Sequence, residues 1–447
     1  MVYHHSALGL LQYVMTVLAP SILFTVVSLP VQKRNLIQDG ILALLWFAGL
    51  FFPIYYAGQY SYVCSISVSV WAWATAMKMG VWVFCMTMEE RQKRPFIYTL
   101  SEWRQRLPED SSKDQQKAFK SSFDYREIHF ARHLWIFIKH QVIFDLIDFI
   151  YNYDDAQRPI RVFSAFMSKI YEYAGQMDKA ASLASSQAIT YTEILISTCQ
   201  SLLFCVYIQI QLQVTYDALM LMYATIYKCL PYLERWQLGA TDLRDLNSSS
   251  RNVLETKAIL RRVKRIRAVK DWIEDTLTMQ PLFNSPWTAH SLRDFWGRRW
   301  HTFYNESFYR LGYRPIRWTM LTLFKCKPPR WLPALSVFVM SGLMHEFFLF
   351  SASGPRLYTG SSSATLPAGG LQFLFFIVQV FGISIGDRFF RGGPLGRAFT
   401  LFFAALTCHL FVVPYLLTGY LYMERFSFLR IVMNLCRGNR NILASTF

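Results

Sequence analysis

Eight stretches of about twenty residues that are almost wholly apolar constrain this chain more than any other feature. They run over 7–29, 36–57, 64–86, 190–213, 216–233, 331–351, 371–390 and 399–421. A helix needs about 20 mainly apolar residues to cross the hydrocarbon core of a bilayer. Hydrophobic residues make up 53% of the chain and charged residues 17%, against about 25% charged in soluble proteins. These values exclude a soluble enzyme, a disordered scaffold and a collagen-like fibre. The expected fold is all-α: a polytopic, multi-pass integral membrane protein with about eight transmembrane helices and additional amphipathic or interfacial helices.

Charge gives the expected orientation. Lys and Arg number 46 against 29 Asp and Glu, a formal net charge of +17. The cations sit between membrane spans, which excludes nucleic acid as the partner and points to anionic lipid or an anionic small substrate. Lys33 and Arg34 separate the first two spans, the next connection is uncharged, and Arg91, Lys93 and Arg94 follow the third. The positive-inside rule then places the N-terminus in the lumen and 89–188 and 234–329 in the cytoplasm. The densest basic run, Arg261 to Arg267, falls in the second of these. Eight spans put the C-terminus in the lumen, where Arg425, Arg430, Arg437 and Arg440 disagree with the rule. No Lys or Arg precedes Lys33, so the first block reads as a retained span rather than a cleaved signal peptide.

Three regions follow: a three-span segment at 1–87, a cytoplasmic segment at 88–189, and a catalytic membrane region at 190–447. Within the second, Gln141, Asp145, Asp148 and Asn152 form one polar stripe on the helix 136–153. Carboxylates are expensive in lipid, so this helix is expected to lie in the interface. The eight cysteines show no CxxC or repeated spacing and read as reduced thiols, with neither zinc nor disulfides.

Of the nine histidines, His129 and His133 have a metal-ligand spacing, with His140 seven residues on. A membrane di-iron oxygenase needs several such boxes, so these read as exposed histidines on a basic segment. His290 and Asp294 form His-x-x-x-Asp, but Ser291 followed by Asp294 is equally a capping box that starts a helix. On that helix Asp294, Arg298 and His301 are spaced i, i+4, i+7 and should share one face. Trp296, Trp300, Phe303, Tyr304, Phe308 and Tyr309 make it aromatic, as at a membrane boundary. The second candidate is His345-Glu346. His345 is 14 residues into the span that starts at Trp331, about 21 Å deep at 1.5 Å per residue. The core is only about 30 Å thick, so an ionisable pair there must face protein or water and marks a functional site. His409, on the last span, has no ionisable neighbour and reads as structural.

The run Ser291-Leu292-Arg293-Asp294-Phe295-Trp296-Gly297-Arg298-Arg299-Trp300-His301, followed by Ser341-Gly342-Leu343-Met344-His345-Glu346, resembles the wax synthase-like branch of the membrane-bound O-acyltransferases. The resemblance is specific from Trp287 to Glu346 and general elsewhere. It implies that His345 is catalytic and that His301 closes the tryptophan-rich motif. Fungal members of the branch acetylate terpenoid natural products and plant members make wax esters; the long segment 89–188 favours the fungal type. The expected activity is transfer of acetyl from acetyl-CoA, the co-substrate, to a hydroxyl of a lipophilic terpenoid-type alcohol. Long-chain wax ester synthesis is the alternative, and the expected location is the endoplasmic reticulum.

Ester formation needs a base for the hydroxyl proton, for which His345 is suited, and a donor to the thioester carbonyl, for which His301 stands. No Ser or Cys occupies a nucleophile motif, so direct transfer without an acyl-enzyme is expected. Arg293, Arg298 and Arg299 are candidates for the CoA phosphates, and the chemistry calls for no metal. A transporter would want polar residues on several spans, whereas here they concentrate on two elements.

Overall fold

A computed structural model describes residues 7–29, 35–94, 96, 130–153, 156–184, 188–239, 250–277, 282–300, 302–329, 331–360, 366–422, 427–429 and 432. No strand occurs among them. The longer helices are α1 (Ala7–Ser28), α2 (Leu36–Tyr55), α3 (Tyr62–Gly80), α4 (Met88–Lys93), α5 (Phe130–Tyr153), α6 (Arg158–Tyr173), α7 (Met177–Leu183), α8 (Tyr191–Gly239), α9 (Ser250–Leu277), α10 (Arg314–Thr322), α11 (Trp331–Thr359), α12 (Leu371–Phe389) and α13 (Gly393–Leu417). Among the described residues seven of them, α1, α2, α3, α8, α11, α12 and α13, are long and apolar enough to cross a membrane. The chain is an all-α, multi-pass membrane protein.

The seven helices differ from the eight expected spans at one place. The expected spans 190–213 and 216–233 are a single helix, α8, of 49 residues. At 1.5 Å per residue it is about 73 Å long, more than twice the hydrocarbon thickness. Val214 and Thr215, which join the two apolar blocks, include no Gly, Pro or charge that would end a helix. Hydropathy shows that each block could cross a bilayer; only a breaker would have shown that the chain turns between them.

The described residues cluster into two compact units, one within 1–101, 147–207 and 285–447, the other within 102–146 and 208–284. In the first, α3 is the central helix. Ser65, Ser69, Ala72, Ala74, Ala76 and Gly80 are all buried, and small residues of this kind let helix backbones approach closely in a membrane. Trp73, Ala74 and Met77 of α3 pack with Tyr304 and Phe308 and with Met344, Phe347 and Phe348 of α11. α11 bends at Gly354, whose φ is 74°. There Gly58, φ 70°, crosses so closely that a Cβ on Gly354 would lie 2.9 Å from the Gly58 Cα. Both positions therefore require glycine. α1 and α2 turn Leu8, Leu11, Ile22, Leu44 and Phe47 outward, as lipid-facing helices do.

The second unit is built on α9 and on the part of α8 that begins at Ile208. Met220, Ala224 and Leu230 of α8 pack on Ile273 and Leu277 of α9, whose opposite face carries the exposed Lys257, Arg261, Lys264 and Arg265. The polar stripe of α5 is turned into the protein. Gln141, Asp145 and Asp148 are buried, while Trp135, Ile138, Val142, Leu146, Phe149 and Ile150 are exposed. Asp217 accepts from Gln213 at 2.7 Å and meets His140 Nδ1 at 2.5 Å. In the first unit the Tyr207 hydroxyl donates to Asp148 at 2.7 Å. Carboxylates too costly to leave in lipid are thus satisfied between helices.

Candidate functional site

His345 lies midway along α11. Its ring stacks on Phe376 of α12, centroids 4.8 Å apart at 22°, and meets Phe411 of α13 edge-on at 5.2 Å and Phe348 at 5.9 Å. α11, α12 and α13 thus converge on one imidazole. It borders a cavity with an almost wholly apolar lining. Trp287, Trp296, Trp300, Phe375 and Phe411 line it, and beside His345 its polar side chains are Gln379, Thr400, Cys205 and Cys408.

Glu346 points elsewhere. Its carboxylate accepts the backbone N–H of Phe373 at 2.8 Å and of Gly370 at 3.0 Å. Gly370 has a φ of 87° and offers no side chain, so a glutamate from α11 satisfies the orphan donors at the start of α12. The two helices also approach closely nearby: a Cβ on Gly342 would lie 2.8 Å from the Phe373 ring. Glu346 therefore fixes the helix that carries Phe375, Phe376 and Gln379 into the cavity wall.

The tryptophan-rich segment begins as the sequence indicates. The Asp294 N–H donates to Ser291 Oγ at 3.1 Å, the cap expected of Ser291, while the Asp294 carboxylate accepts from the N–H of His290, one residue before the cap, at 3.2 Å. The expected regular helix does not follow. Only Leu292–Asp294 is α-helical, Phe295–Arg299 is a π turn, and Trp300 is extended. The Trp300 N–H donates to Phe295 O at 2.9 Å, five residues back. Arg299 Nε meets Asp294 at the same spacing, at 2.7 Å, and its Nη1 donates to Thr288 Oγ1 at 2.7 Å. This five-residue tie matches the wider turn, so Asp294 is partnered by Arg299 and not by Arg298. π turns of this kind are common at functional sites.

The wider turn sends Trp296 inward. Its indole N–H donates to Gln379 Oε1 at 3.2 Å, and Gln379 in turn donates to Thr407 Oγ1 at 3.2 Å. The Trp296 ring packs against Phe338, Phe375 and Phe376, and Phe376 is the residue stacked on His345. Of the arginines, Arg293 pairs with Asp387, Nε to Oδ2 at 2.8 Å, and that carboxylate holds its guanidinium above the usual range. Arg298 is exposed and Arg299 half-buried. His301, expected to close the motif, lies outside the described residues, as does His129. His140 is half-buried against Asp217 rather than exposed. His409 Nε2 contacts Ser197 Oγ at 2.9 Å, which joins α13 to α8.

Sequence reasoning missed Gln379, Cys205 and Cys408. Each is one polar or soft residue in an apolar helix, and only the converging helices show that they share a wall with His345.

Comparison with known proteins follows the same residues. Residues 279–378 match the Membrane bound O-acyl transferase family. A Long-chain-alcohol O-fatty-acyltransferase of Simmondsia chinensis is 40% identical over 83 residues, 18% of this chain and 23% of the relative. An Acyl-CoA--sterol O-acyltransferase 1 of Arabidopsis thaliana is 39% identical over 88 residues, 19% and 23%. A Putative long-chain-alcohol O-fatty-acyltransferase 10 of the same plant is 37% identical over 73 residues, 16% and 21%. The chain thus covers less than a quarter of the length of each of these relatives. The matching family segment contains the tryptophan-rich turn, His345, Glu346 and Phe376, and over this site-building stretch the chain is similar to the membrane bound O-acyl transferases.

Proposed function

We propose that this chain is a CoA-dependent O-acyltransferase of the endoplasmic reticulum that moves acetyl from acetyl-CoA to a hydroxyl of a lipophilic, terpenoid-type alcohol. The observation that carries the proposal is His345, an imidazole held by aromatic rings at the wall of an apolar cavity inside the helix bundle. His345 takes the proton of the acceptor hydroxyl as its oxygen attacks the thioester carbonyl. The C–S bond then breaks, and His345 returns the proton to the departing CoA thiolate. One ester and one thiol form, with no change in net protonation. His301 donates to the carbonyl oxygen as negative charge develops there. The dry wall keeps water from competing with the alcohol.

Arg293, Arg298 and Arg299 stand on the segment over the cavity. Arg298, exposed, and Arg293, at the surface beside Asp387, are placed to meet CoA phosphates, while the inward ties of Arg299 make it chiefly a support for the turn. A polycyclic acceptor is supported by the aromatic cavity wall and by the sterol acyltransferase among the relatives. A second reading, transfer of a long acyl chain to a long-chain alcohol, is favoured by the long-chain-alcohol relatives.

Competition between acetyl-CoA and palmitoyl-CoA in one microsomal preparation, supplied with terpenoid and fatty alcohols, separates the two. Acetyl ester on a terpenoid alcohol is the expected product. Consumption of palmitoyl-CoA with a fatty alcohol, and no acetyl transfer to any terpenoid, would establish the second reading.

A further inference from the structure

The cavity is lined by apolar side chains, and cations stand just beyond it at the start of α13. Thr400, Leu401, Ala404, Cys408 and Phe411 line the cavity from one face of α13, recurring at steps of three and four residues. Arg397 is the preceding step on that face, and it is exposed. Its Nη2 donates to His290 Nδ1 at 3.3 Å. His290 is flanked by two further cavity residues, Ala289 and Leu292. The contact is tight: a Cβ on Gly396 would lie 2.4 Å from the His290 carbonyl oxygen. Arg397 thus stands one helical step beyond the cavity lining on α13, tied to His290, which neighbours the lining residue Ala289.

Other cations gather there. Arg391 Nε donates to the Asp387 carbonyl at 3.2 Å, and the Asp387 carboxylate is engaged by Arg293. Between them, the tryptophan-rich segment and the turn from α12 to α13 carry Arg293, Arg298, Arg299, Arg388, Arg391 and Arg397 against only Asp294 and Asp387. An apolar slot with arginines gathered beyond one end suits an amphiphile with a polyanionic head.

We propose that Arg397 binds the phosphates of the CoA donor, so that the donor enters the cavity at the α13 end and lays its pantetheine arm along this face of α13 toward His345. The proposal rests on the acyl-CoA reading above. The lengths agree. Arg397 precedes Cys408 by 11 residues and Phe411 by 14, about 16 and 21 Å along the helix axis. The arm from the CoA sulfur to its first phosphorus has about thirteen bonds and spans roughly 15 Å when extended, at the reach per bond of an extended chain. The charges agree as well. The diphosphate and 3′-phosphate together carry about −4 near neutral pH, and a guanidinium is the side chain best shaped to hold them.

The test compares two donors in purified full-length protein: acetyl-CoA and acetyl-pantetheine, which has the same thioester and arm but no phosphates. For Arg397→Gln, the preference for acetyl-CoA over acetyl-pantetheine, as a ratio of kcat/KM values, should fall about tenfold. The loss should appear in the KM for acetyl-CoA more than in kcat, the mark of lost ground-state binding. Arg397→Lys, which keeps the charge but not the fork, should fall between wild type and Arg397→Gln. An Arg397→Gln variant that loses both donors in equal proportion, or neither, would overturn the proposal and leave Arg397 as a strut for His290. Failure of the underlying reading looks different: the wild type itself would then transfer acyl from neither donor.

Discussion

Replacing His345 by alanine is expected to lower acyl transfer by about two to four orders of magnitude, the usual contribution of a positioned acid–base group. The protein should stay folded and still bind acyl-CoA. The imidazole borders a cavity rather than filling a packed core, and the rings around it, Phe348, Phe376 and Phe411, also contact one another or their own helices. Its removal therefore enlarges a space that already exists. Turnover of the purified variant, with thermal unfolding and the KM for acyl-CoA measured alongside, checks this. Retention of a tenth or more of wild-type turnover would place the base elsewhere.

Glu346→Ala is expected to act on the same reaction by a different route. Two part-buried backbone donors, those of Gly370 and Phe373, lose their acceptor, which costs at most about 1–3 kcal/mol for each group that water does not reach. The first turn of α12 should loosen, and with it the stacking of Phe376 on His345. Both stability and activity should fall, and thermal unfolding in detergent should show a drop of several degrees. Glu346→Gln keeps one acceptor oxygen and should recover part of both. If Glu346→Ala were as stable as wild type yet inactive, the carboxylate would belong to the chemistry and not to the positioning of α12.

The place of His345 midway along a span-length helix was legible because the apolar block that carries it has a definite start and length. The capping of the tryptophan-rich segment was legible because Ser291 and Asp294 act within four residues. What the chain does over longer separations was not. Glu346 stands beside His345 in sequence, which suggests a pair, but the backbone donors it accepts from lie 24 and 27 residues on. The stripe on α5 has a clear period, yet period alone does not say whether a polar face meets water or protein. Here Tyr207, 59 residues away, decides it for Asp148. The π turn escaped a reading based on 3.6 residues per turn, since the tie that fits it, Asp294 to Arg299, has the wrong spacing for a regular helix. In α8 two windows were each long enough to span, and nothing within either showed that the helix runs on.

The central claim is that an acyl group passes from CoA to an alcohol at His345 without stopping on the protein. It is tested most directly by incubating the purified protein with radiolabelled acetyl-CoA and a lipophilic alcohol, then measuring free thiol, ester and protein-bound label together. The expected result is equal amounts of thiol and ester, formed only when both substrates are present, with no label left on the protein. Thiol release without the alcohol, accompanied by label that stays on the denatured protein, would contradict direct transfer and require a nucleophile other than the acceptor hydroxyl.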